Sequence, residues 1–469
     1  MATGSFILPM GSGGSTPPSG NTWTRPAEWL TMPTPGAQEV IGLMAVYDDG
    51  ANYVAVQCTG AYTVDWGDGT VTNYASAAVA SYQHTFSSLS AGTTTSKGFR
   101  QALVRITPQG AGNLTLVNFG IQHPTLAKSF APGWLEFDIR TPNALPTYGA
   151  SSNVIRYARL EKITVRQMST ASLANLFNNL YALKKVFIEP AETTGSTAAN
   201  NMFLNCYALE EVNLFDTSTL TNISTMFQNC YNLQSVPNFN FSASINVANI
   251  FNNCYSLTTV PPFAMGTDCT QMFVGCNSLV TVGLMNTSLV NSFSNMFQNC
   301  TSLTTVPLIN TTAGSNFTSM FAGCNSLQEI PLLNLANATN MTGMFNGAQS
   351  IIYLPNLNTA NVTNLTQTFN NCLNLRELPS LNLPLVTAAN FTTWLDSNTT
   401  LSKSLVFGVT KTHSYNNKSL SQANIVTIFN NLGTSTPASQ TITVSNNPGR
   451  AALTAGEILI ATNKGWTVV

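Results

Sequence analysis

The sequence predicts a multidomain chain in which an N-terminal β-sandwich is followed by an α/β solenoid with short helices and a parallel sheet. Three observations carry this. Short runs with apolar residues at every second position, separated by turn residues, occupy the chain up to about residue 133. From Phe203 onward one phrase recurs (NMFLNCYALEEV, TMFQNCYNLQSVP, NIFNNCYSLTTVP), with its anchor at Phe203, Phe227, Phe251, Phe273, Phe297, Phe321, Phe345 and Phe369. The spacings are 24 residues, with a single one of 22, and a fixed period in this range is the signature of a solenoid. The last 67 residues depart from the phrase, as a terminal unit that covers an exposed apolar face must.

Composition narrows the function. Charged residues make up 8% of the 469, against about 25% in ordinary soluble domains, and the 44% hydrophobic content argues against disorder. The net charge of −1 conceals a partition: residues 191–402 carry Glu192, Glu210, Glu211, Asp216, Asp268, Glu329, Glu377 and Asp396 against Arg376 alone, so 1 − 8 = −7. Such a surface offers no footprint for nucleic acid. A basic cluster precedes it (Arg156, Arg159, Lys162, Arg166, Lys184, Lys185), read as a solvated face or edge-protecting cap, with contact to an acidic neighbouring subunit as the alternative. No run approaches the ~18 apolar residues of a membrane helix, so no membrane insertion is expected. The start MATGSFILPMGSGG lacks the basic n-region of a secretory signal, so Sec export is not expected either.

Residues 1–35 form a tail and linker. GSGGSTPPSGN at 11–21 is a flexible spacer stiffened by Pro17 and Pro18. Before it lies the short apolar peptide Phe6, Ile7, Leu8, Pro9 and Met10, too small for a core and a candidate anchor on a partner such as a neighbouring subunit. Trp23 and Trp29 follow, expected to pack on the next domain.

Residues 36–133 form the expected sandwich, with short β-rich runs such as 41–47 and 53–56. Asp68-Gly69 is a strong hairpin signal, because glycine takes positive φ there without steric cost. The string YTVDWGDGT at 62–70, followed by YQHTF at 82–86, resembles the PKD-type immunoglobulin-like domain over about 25 residues. Asp65 and Asp68 admit two readings: calcium ligands, or hydrogen-bond acceptors for the turn backbone. The second is favoured, and His84 is read as a packed strand residue.

Residues 134–402 form the solenoid. Five residues before each anchor stands a capping type: Asn222, Asn246, Asp268, Ser292, Asn316, Asn340 and Asn364. Apolar residues such as Ile223, Met226, Phe227 and Cys230 follow at i, i+3, i+4 and i+7, one face of a helix. Two residues after the anchor stands Asn or Gly (Asn205, Asn229, Asn253, Gly275, Asn299, Gly323, Gly347, Asn371), the residues that enter the left-handed region most readily. Each repeat is therefore expected to carry a capped helix of about two turns, then a short strand that stops near a proline such as Pro237 or Pro307. Asn240, Asn286, Asn310, Asn334, Asn358 and Asn382 are expected to point inward and to bond neighbouring turns. Over residues 200–382 this pattern resembles the BspA-like leucine-rich repeat family, with weaker units before it around Phe177 and first strands at 135–139 and 160–165.

Seven of the nine cysteines occur three residues after an anchor. They lack the paired spacing of zinc sites, and Leu180 and Ala348 replace them in sister repeats, so they are read as small buried hydrophobes. The Asn-x-Ser/Thr triplets at Asn222, Asn286, Asn316, Asn340 and Asn364 follow from the repeat's own need for caps and turns, without glycosylation.

Residues 403–469 form the C-terminal cap: a helix at 425–432, a strand at 441–444 and a helix at 452–462. The ending LTAGEILIATNKGWTVV resembles caps seen with such repeats in phage and gut-bacterial surface proteins.

An enzyme is the weaker functional class, since His84, His123 and His413 lie in three different segments and no metal, nucleotide or nucleophile motif appears. No cofactor is expected. A binding module fits better, because stacked repeats offer a long sheet with variable exposed positions. Eight residues after the anchors, Glu211, Ser235, Thr259, Thr281, Thr305, Glu329, Tyr353 and Glu377 are expected to line it. Small hydroxyls with an occasional Tyr suit glycan or protein contact. The assembly of these parts resembles tailed-phage virion proteins. The resemblance implies an extracellular particle, other virion proteins as partners, and a fibre or appendage subunit attached by its N-terminal part and exposing the repeats to a host-surface glycan or protein. Trimers are common among such appendages, although no heptads argue for one here. The alternatives are a capsid decoration or head-fibre protein without a receptor, and a bacterial surface adhesin.

Overall fold

The computed structural model describes residues 23–469, apart from 48–50, 81–82, 87, 122–132, 149–158, 170–171, 194, 242, 265 and 436–438. Phe6, Ile7, Leu8 and Met10, read as an anchor, and His123 lie outside the described residues.

An eight-stranded sheet joins the two halves of the chain. Its order is Glu211–Val212, Lys185–Ile188, Lys162–Gln167, Trp134–Arg140, Glu39–Val46, Arg100–Pro108, Tyr62–Asp65 and Val71–Tyr74. The seam is Trp134–Arg140, which pairs antiparallel with Glu39–Val46 on one side and parallel with Lys162–Gln167 on the other. The first strands expected at 135–139 and 160–165 are thus the point where a hairpin-built sheet becomes the parallel sheet of the solenoid. A four-stranded sheet of Leu145–Thr147, Leu116–Asn118, Val56–Thr59 and Val79–Ala80 accompanies it. Val40, Val64 and Val104 of the large sheet and Val56, Cys58 and Val117 of the small one belong to the same buried cluster, which runs on through the repeats to Trp466. The Asp68-Gly69 hairpin forms as expected, with Asp65 opposite Val71 and Gly69 at φ 90°. At Gly67 (φ 76°) a Cβ would lie 2.5 Å from the Leu103 carbonyl oxygen, so the turn presses directly on the neighbouring strand.

The repeats differ from the expectation in one respect. The two-turn helix of each unit is replaced by a succession of tight turns; among the described residues the α-helices are Gln422–Asn431 and Ala455–Thr462. The left-handed residue two places after the anchor is there in every unit, from Asn205 (φ 62°) to Asn371 (φ 57°). A second one stands two places before it, at Asn201, Thr225, Asn249, Gln271, Asn295, Ser319, Gly343 and Gln367. Two left-handed residues four apart turn the chain before helical bonds can propagate.

Alternate amides then bond along the solenoid axis: Ile223, Thr225, Phe227 and Asn229 donate to the carbonyls of Asn246, Ala248, Ile250 and Asn252 in the next unit, at 2.8–3.2 Å. The intervening amides of Met226, Gln228 and Cys230 bond back three residues within their own unit. The capping side chains do act, but on a turn: Asn222, Asp268 and Asn340 accept from the amides of Ser224, Thr270 and Thr342 at 2.9–3.1 Å.

Side chains stack in register with this ladder. The rings from Phe177 to Phe369 form one buried column with centroids 5.2–5.8 Å apart and nearly parallel planes. Trp394 closes it edge-on. Asn205, Asn229 and Asn253 donate in series to the amide oxygens of Asn179, Asn205 and Asn229. Tyr181, Tyr207, Tyr231 and Tyr255 stack at 4.7–4.8 Å.

Asn286, Asn310 and Asn334, expected to point inward, are exposed and accept from the amides of Ser288, Thr312 and Ala336 in their own loops. The inward polar residue is the threonine one place later. Thr217, Thr287, Thr311 and Thr359 are buried, and their hydroxyls donate to carbonyls of the next unit at 2.8–2.9 Å.

The C-terminal cap has the expected helix–strand–helix order. Ser421 caps Gln422–Asn431, and Thr454 with Glu457 forms a capping box on Ala455–Thr462. Lys464 Nζ donates to the carbonyls of Phe429, Asn430 and Leu432, closing the C-terminus of the first helix.

Two substitutions test this account. Phe297→Ala removes a fully buried ring from the middle of the column and is expected to cost about 3–5 kcal/mol in denaturant unfolding. At Gly323 (φ 72°) a Cβ would lie 2.4 Å from Asn299 Oδ1. Gly323→Ala should therefore lower the melting midpoint more than Gly323→Asn, because Asn tolerates the left-handed region and can extend the amide ladder.

Candidate binding face

The exposed side of the parallel sheet is built from residues seven and eight places after each anchor. Strand pairing runs through the seventh: the amides of Thr258, Val280, Thr304 and Gln328 donate to the carbonyls of Gln234, Thr258, Val280 and Thr304 at 3.0–3.4 Å. This ladder runs toward the preceding unit, opposite to the ladder beside the phenylalanines. Its regular pairing places the eighth residues in a column, with Thr259 opposite Thr281 and Glu377 opposite Lys403.

Every ligand-contact residue expected from the sequence falls in this column. Ser235, Thr259, Thr281, Thr305, Glu329 and Tyr353 are exposed, whereas Glu211 and Glu377 are half-buried and paired with Lys185 and Lys403 at 2.7 Å. Glu136 and Lys162 extend the column across the seam, in register with each other and 2.6 Å apart.

The chain's own N-terminal segment covers the first part of this face, which sequence reasoning missed. The Trp23 amide donates to Glu210 Oε2 and its indole Nε1 to Glu161 Oε2, both at 2.7 Å. Arg25 Nε pairs with Glu136, and its guanidinium lies 5.6 Å from the Trp29 ring centroid. Trp29 is buried with Leu43, Ala45, Phe99 and Leu135. Residues 23–32 are thus a strap over the sheet: Trp23 and Arg25 are engaged by carboxylates far away in sequence, and a turn in which the Trp29 amide donates to the Pro26 carbonyl brings Trp29 into the apolar cluster. The expectation that both tryptophans pack on the following domain captured only part of this.

Farther along, between the units of Phe321 and Phe369, the face sinks into an open depression of about 500 Å³ lined by Gln328, Glu329, Ser350, Ile352, Tyr353 and Asn374. Tyr353 is 59% and Ile352 41% exposed. Neither Glu329 nor Tyr353 has a hydrogen-bond or ion-pair partner among the described residues. A second exposed column, Leu284, Leu308 and Leu332, stands eleven places after the anchors. A smaller cleft of about 390 Å³ near Thr34 is lined by groups already paired, with Arg166 bidentate to Asp138 at 2.8 and 2.9 Å and Arg140 donating to Gln167.

Other candidate groups have structural partners. Asp65 Oδ1 accepts the Gly67 amide and Asp68 Oδ1 the amide and hydroxyl of Thr70, the acceptor role read from the turn. Asp68 also pairs with His84 at 2.9 Å. Its burial works to raise its pKa, but the bonds from Thr70 and His84 outweigh that and hold it below the usual range. His84 stacks on Trp66 with centroids 4.2 Å apart. Among the described residues no three His, Cys, Asp or Glu side chains converge in a way that could hold a metal ion.

The cysteines pack as expected but also do something the sequence did not show. The thiols of Cys206, Cys230, Cys254, Cys276, Cys300, Cys324 and Cys372 donate to the phenylalanine carbonyl one unit back, at 3.0–3.3 Å. Burial pushes Cys324 and Cys372 up to about 12, and the others upward. Asn398 takes over this bond at the end of the column, donating to Phe369.

His413 is buried among Phe391, Trp394, Tyr415 and Trp466, and its Nδ1 bonds the Lys411 carbonyl. Burial lowers its pKa to about 4.

A family model described as a Mycoplasma protein of unknown function, DUF285, matches residues 153–260 and 267–381, the repeats themselves. The chain is similar to a solved leucine-rich repeat protein from Bacteroides ovatus, at 14% identity over 77% of this chain and 96% of that one, with a TM-score of 0.30. It is also similar to a leucine-rich cell surface protein from Faecalibacterium prausnitzii, at 16% identity over 68% and 92%, with a TM-score of 0.32. An internalin from Listeria monocytogenes matches at 12% identity over 76% and 86%, with a TM-score of 0.23. No curated protein matches the chain. The repeats form a leucine-rich, BspA-like solenoid.

Two measurements follow from the buried groups. All nine cysteines are free and buried, so a thiol reagent at pH 8 should leave the native protein unlabelled and titrate nine thiols after denaturation. His413 should contribute an acid limb to stability. Below pH 6.5 the unfolded chain takes up a proton that the folded chain refuses until about pH 4. Stability is therefore expected to fall as pH drops through that window, by on the order of 3 kcal/mol. His413→Phe should flatten this limb in urea titrations at pH 7 and pH 4.5.

Proposed function

We propose that the protein is a non-enzymatic binding subunit of an extracellular particle, in best agreement a phage fibre or appendage. In this reading it attaches through its N-terminal part, whose sheets belong to a PKD-like sandwich, and presents the repeat face to a host-surface glycan or protein. The observation that carries the reading is the face itself. A column of equivalent positions leaves Ser235, Thr259, Thr281, Thr305, Glu329 and Tyr353 exposed on stacked units, while the residue types that usually do chemistry are engaged in structure. The thiols are buried with raised pKa values, His413 is buried with a lowered one, and His84 is held between Asp68 and Trp66. Small hydroxyls and a tyrosine can be exchanged at these positions without disturbing the turns beneath, which suits a surface that must adapt to its receptor.

The test is particle association combined with cell binding. The protein should be found in purified particles, and purified full-length protein should bind host cells saturably. Replacing Thr259 and Thr281 by Arg, with the fold checked by melting, should reduce that binding at least tenfold. Presence in particles without cell binding would favour a decoration role, and absence from particles with cell binding would favour a bacterial adhesin.

A further inference from the structure

The eight-stranded sheet has an open side among the described residues. At one end Glu211–Val212 leads into the stacked repeats, where the Asn232 amide bonds back to the Tyr207 carbonyl. At the other end Val71–Tyr74 pairs with Tyr62–Asp65 alone. An unpaired edge is a template for another strand, and soluble proteins blunt such edges with charge, proline, a bulge or a cover. This edge has none of the first three. Residues 69–96 hold no Asp, Glu, Lys, Arg or Pro, and the register from Tyr62 opposite Tyr74 to Asp65 opposite Val71 is unbroken. Nor is it covered: Val71 is 63% exposed, and Asn73 is exposed as well.

The ladder settles which backbone groups point outward. The Trp66 amide donates to the Thr70 carbonyl at 3.0 Å, and antiparallel bonding alternates every second residue. Thr72 and Tyr74 therefore turn their backbone groups toward Val64 and Tyr62, whereas Val71 and Asn73 turn theirs away from the sheet. Those outward groups find no partner among the described residues.

We propose that Val71–Tyr74 is the contact through which two copies of this chain form a two-fold dimer, each edge pairing antiparallel with its own copy. Outward donors and acceptors at two positions two residues apart are self-complementary about a two-fold axis at Thr72. Val71 of one copy exchanges both backbone bonds with Asn73 of the other, and the symmetric pair repeats this, so every outward group of the two residues is bonded. Thr72 meets its own copy across the axis, a cross-strand pair that is favourable in sheets. Asp65, on the strand behind, stands three strand spacings from its copy, about 14 Å, beyond the Debye length of about 8 Å at physiological salt. The two sheets become one, with a solenoid leading away at each end, and the pairing is independent of what the repeat face binds. Four residues per copy fall short of the ~1,200 Å² that stable complexes bury, so the dimer dissociates on dilution.

Sedimentation equilibrium of the full-length protein over a hundredfold range of concentration should show a reversible monomer–dimer equilibrium. Hydrogen exchange in a peptide covering 71–74 should slow as the dimer fills, because the amides of Val71 and Asn73 become bonded. Val71→Pro removes an outward N–H that the monomer's own sheet does not use, a place where edge strands accept proline, and should weaken the dimer at least tenfold. Val71→Lys sets two cations on one face of the seam and should do the same, so the test stands even where the proline variant fails to fold. Val71→Thr should leave the dimer intact. The Lys and Thr variants should melt at the wild-type midpoint in dilute solution.

A monomer at every concentration overturns the proposal. So does a dimer that Val71→Lys does not weaken, or one whose formation leaves exchange at 71–74 unchanged. Species that keep growing with concentration would name a head-to-tail contact between this edge and the C-terminal one at Trp466–Val468, and would overturn the two-fold pairing.

Discussion

Backbone hydrogen bonding along the axis is the constraint on which the remaining features depend. A turn-rich chain this poor in helix must still pair its buried amides and carbonyls, and the repeat does so with two ladders running in opposite directions. Beside the phenylalanines, amides donate forward, as Phe227 does to Ile250; on the exposed sheet they donate backward, as Val280 does to Thr258. Their dipoles oppose each other, so the stack acquires little of the net moment that a bundle of aligned helices would have. The ladders also fix a common register for the side chains, which is why phenylalanine, asparagine and tyrosine each stack on their own kind.

The legible part of this was the part that residue types encode strictly. Asn or Gly two places after the anchor announces a left-handed residue, and it is one in every unit. The matching position two places before the anchor is occupied by Thr225, Gln271, Ser319 and Gln367 as well as by Asn. These residues carry no left-handed preference, so only the ladder that forces them reveals the conformation. The missing second signal led to a helix, because two successive four-residue turns bury the same i, i+3, i+4 and i+7 positions as two helical turns. The cysteine was legible as a buried small residue. Its bond to the preceding phenylalanine carbonyl was not, since Leu180 and Ala348 fill the position without one.

The exposed columns show the opposite balance. Periodicity alone placed Ser235 through Glu377 on one face, because a period that returns every 22–24 residues brings equivalent positions into contact. The strap was invisible by the same logic. Trp23 and Arg25 have no periodic counterpart, and their partners Glu210, Glu161 and Glu136 are 187, 138 and 111 residues away. Nor could the sequence show that the Trp134–Arg140 strand would be antiparallel to one neighbour and parallel to the other. That dual pairing welds the N-terminal sheets to the first repeat, so an edge strand that would otherwise be open at the solenoid's start is covered.

A ligand lying along the axis of such a face meets a mismatch of spacings that limits what it can be. Sheet units repeat every ~4.8 Å and an extended chain rises ~3.4 Å per residue, so about three residues pass over two units. Only every third side chain can then address the same column, and the residues between must be small, polar or turned toward solvent. The strap avoids the mismatch by turning: it touches the sheet through Trp23 and Arg25, then the Pro26 carbonyl accepts the Trp29 amide and the chain curls so that Trp29 drops into an apolar cluster. A carboxylate on alternate units is the complementary pattern on the protein side. Glu329 and Glu377 have it in the exposed column, whereas Glu161 and Glu210, which hold the strap, stand one position earlier in their units. The same solenoid therefore carries two kinds of surface, one with carboxylates on alternate units and one of uniform hydroxyls that suits a ligand without a fixed repeat.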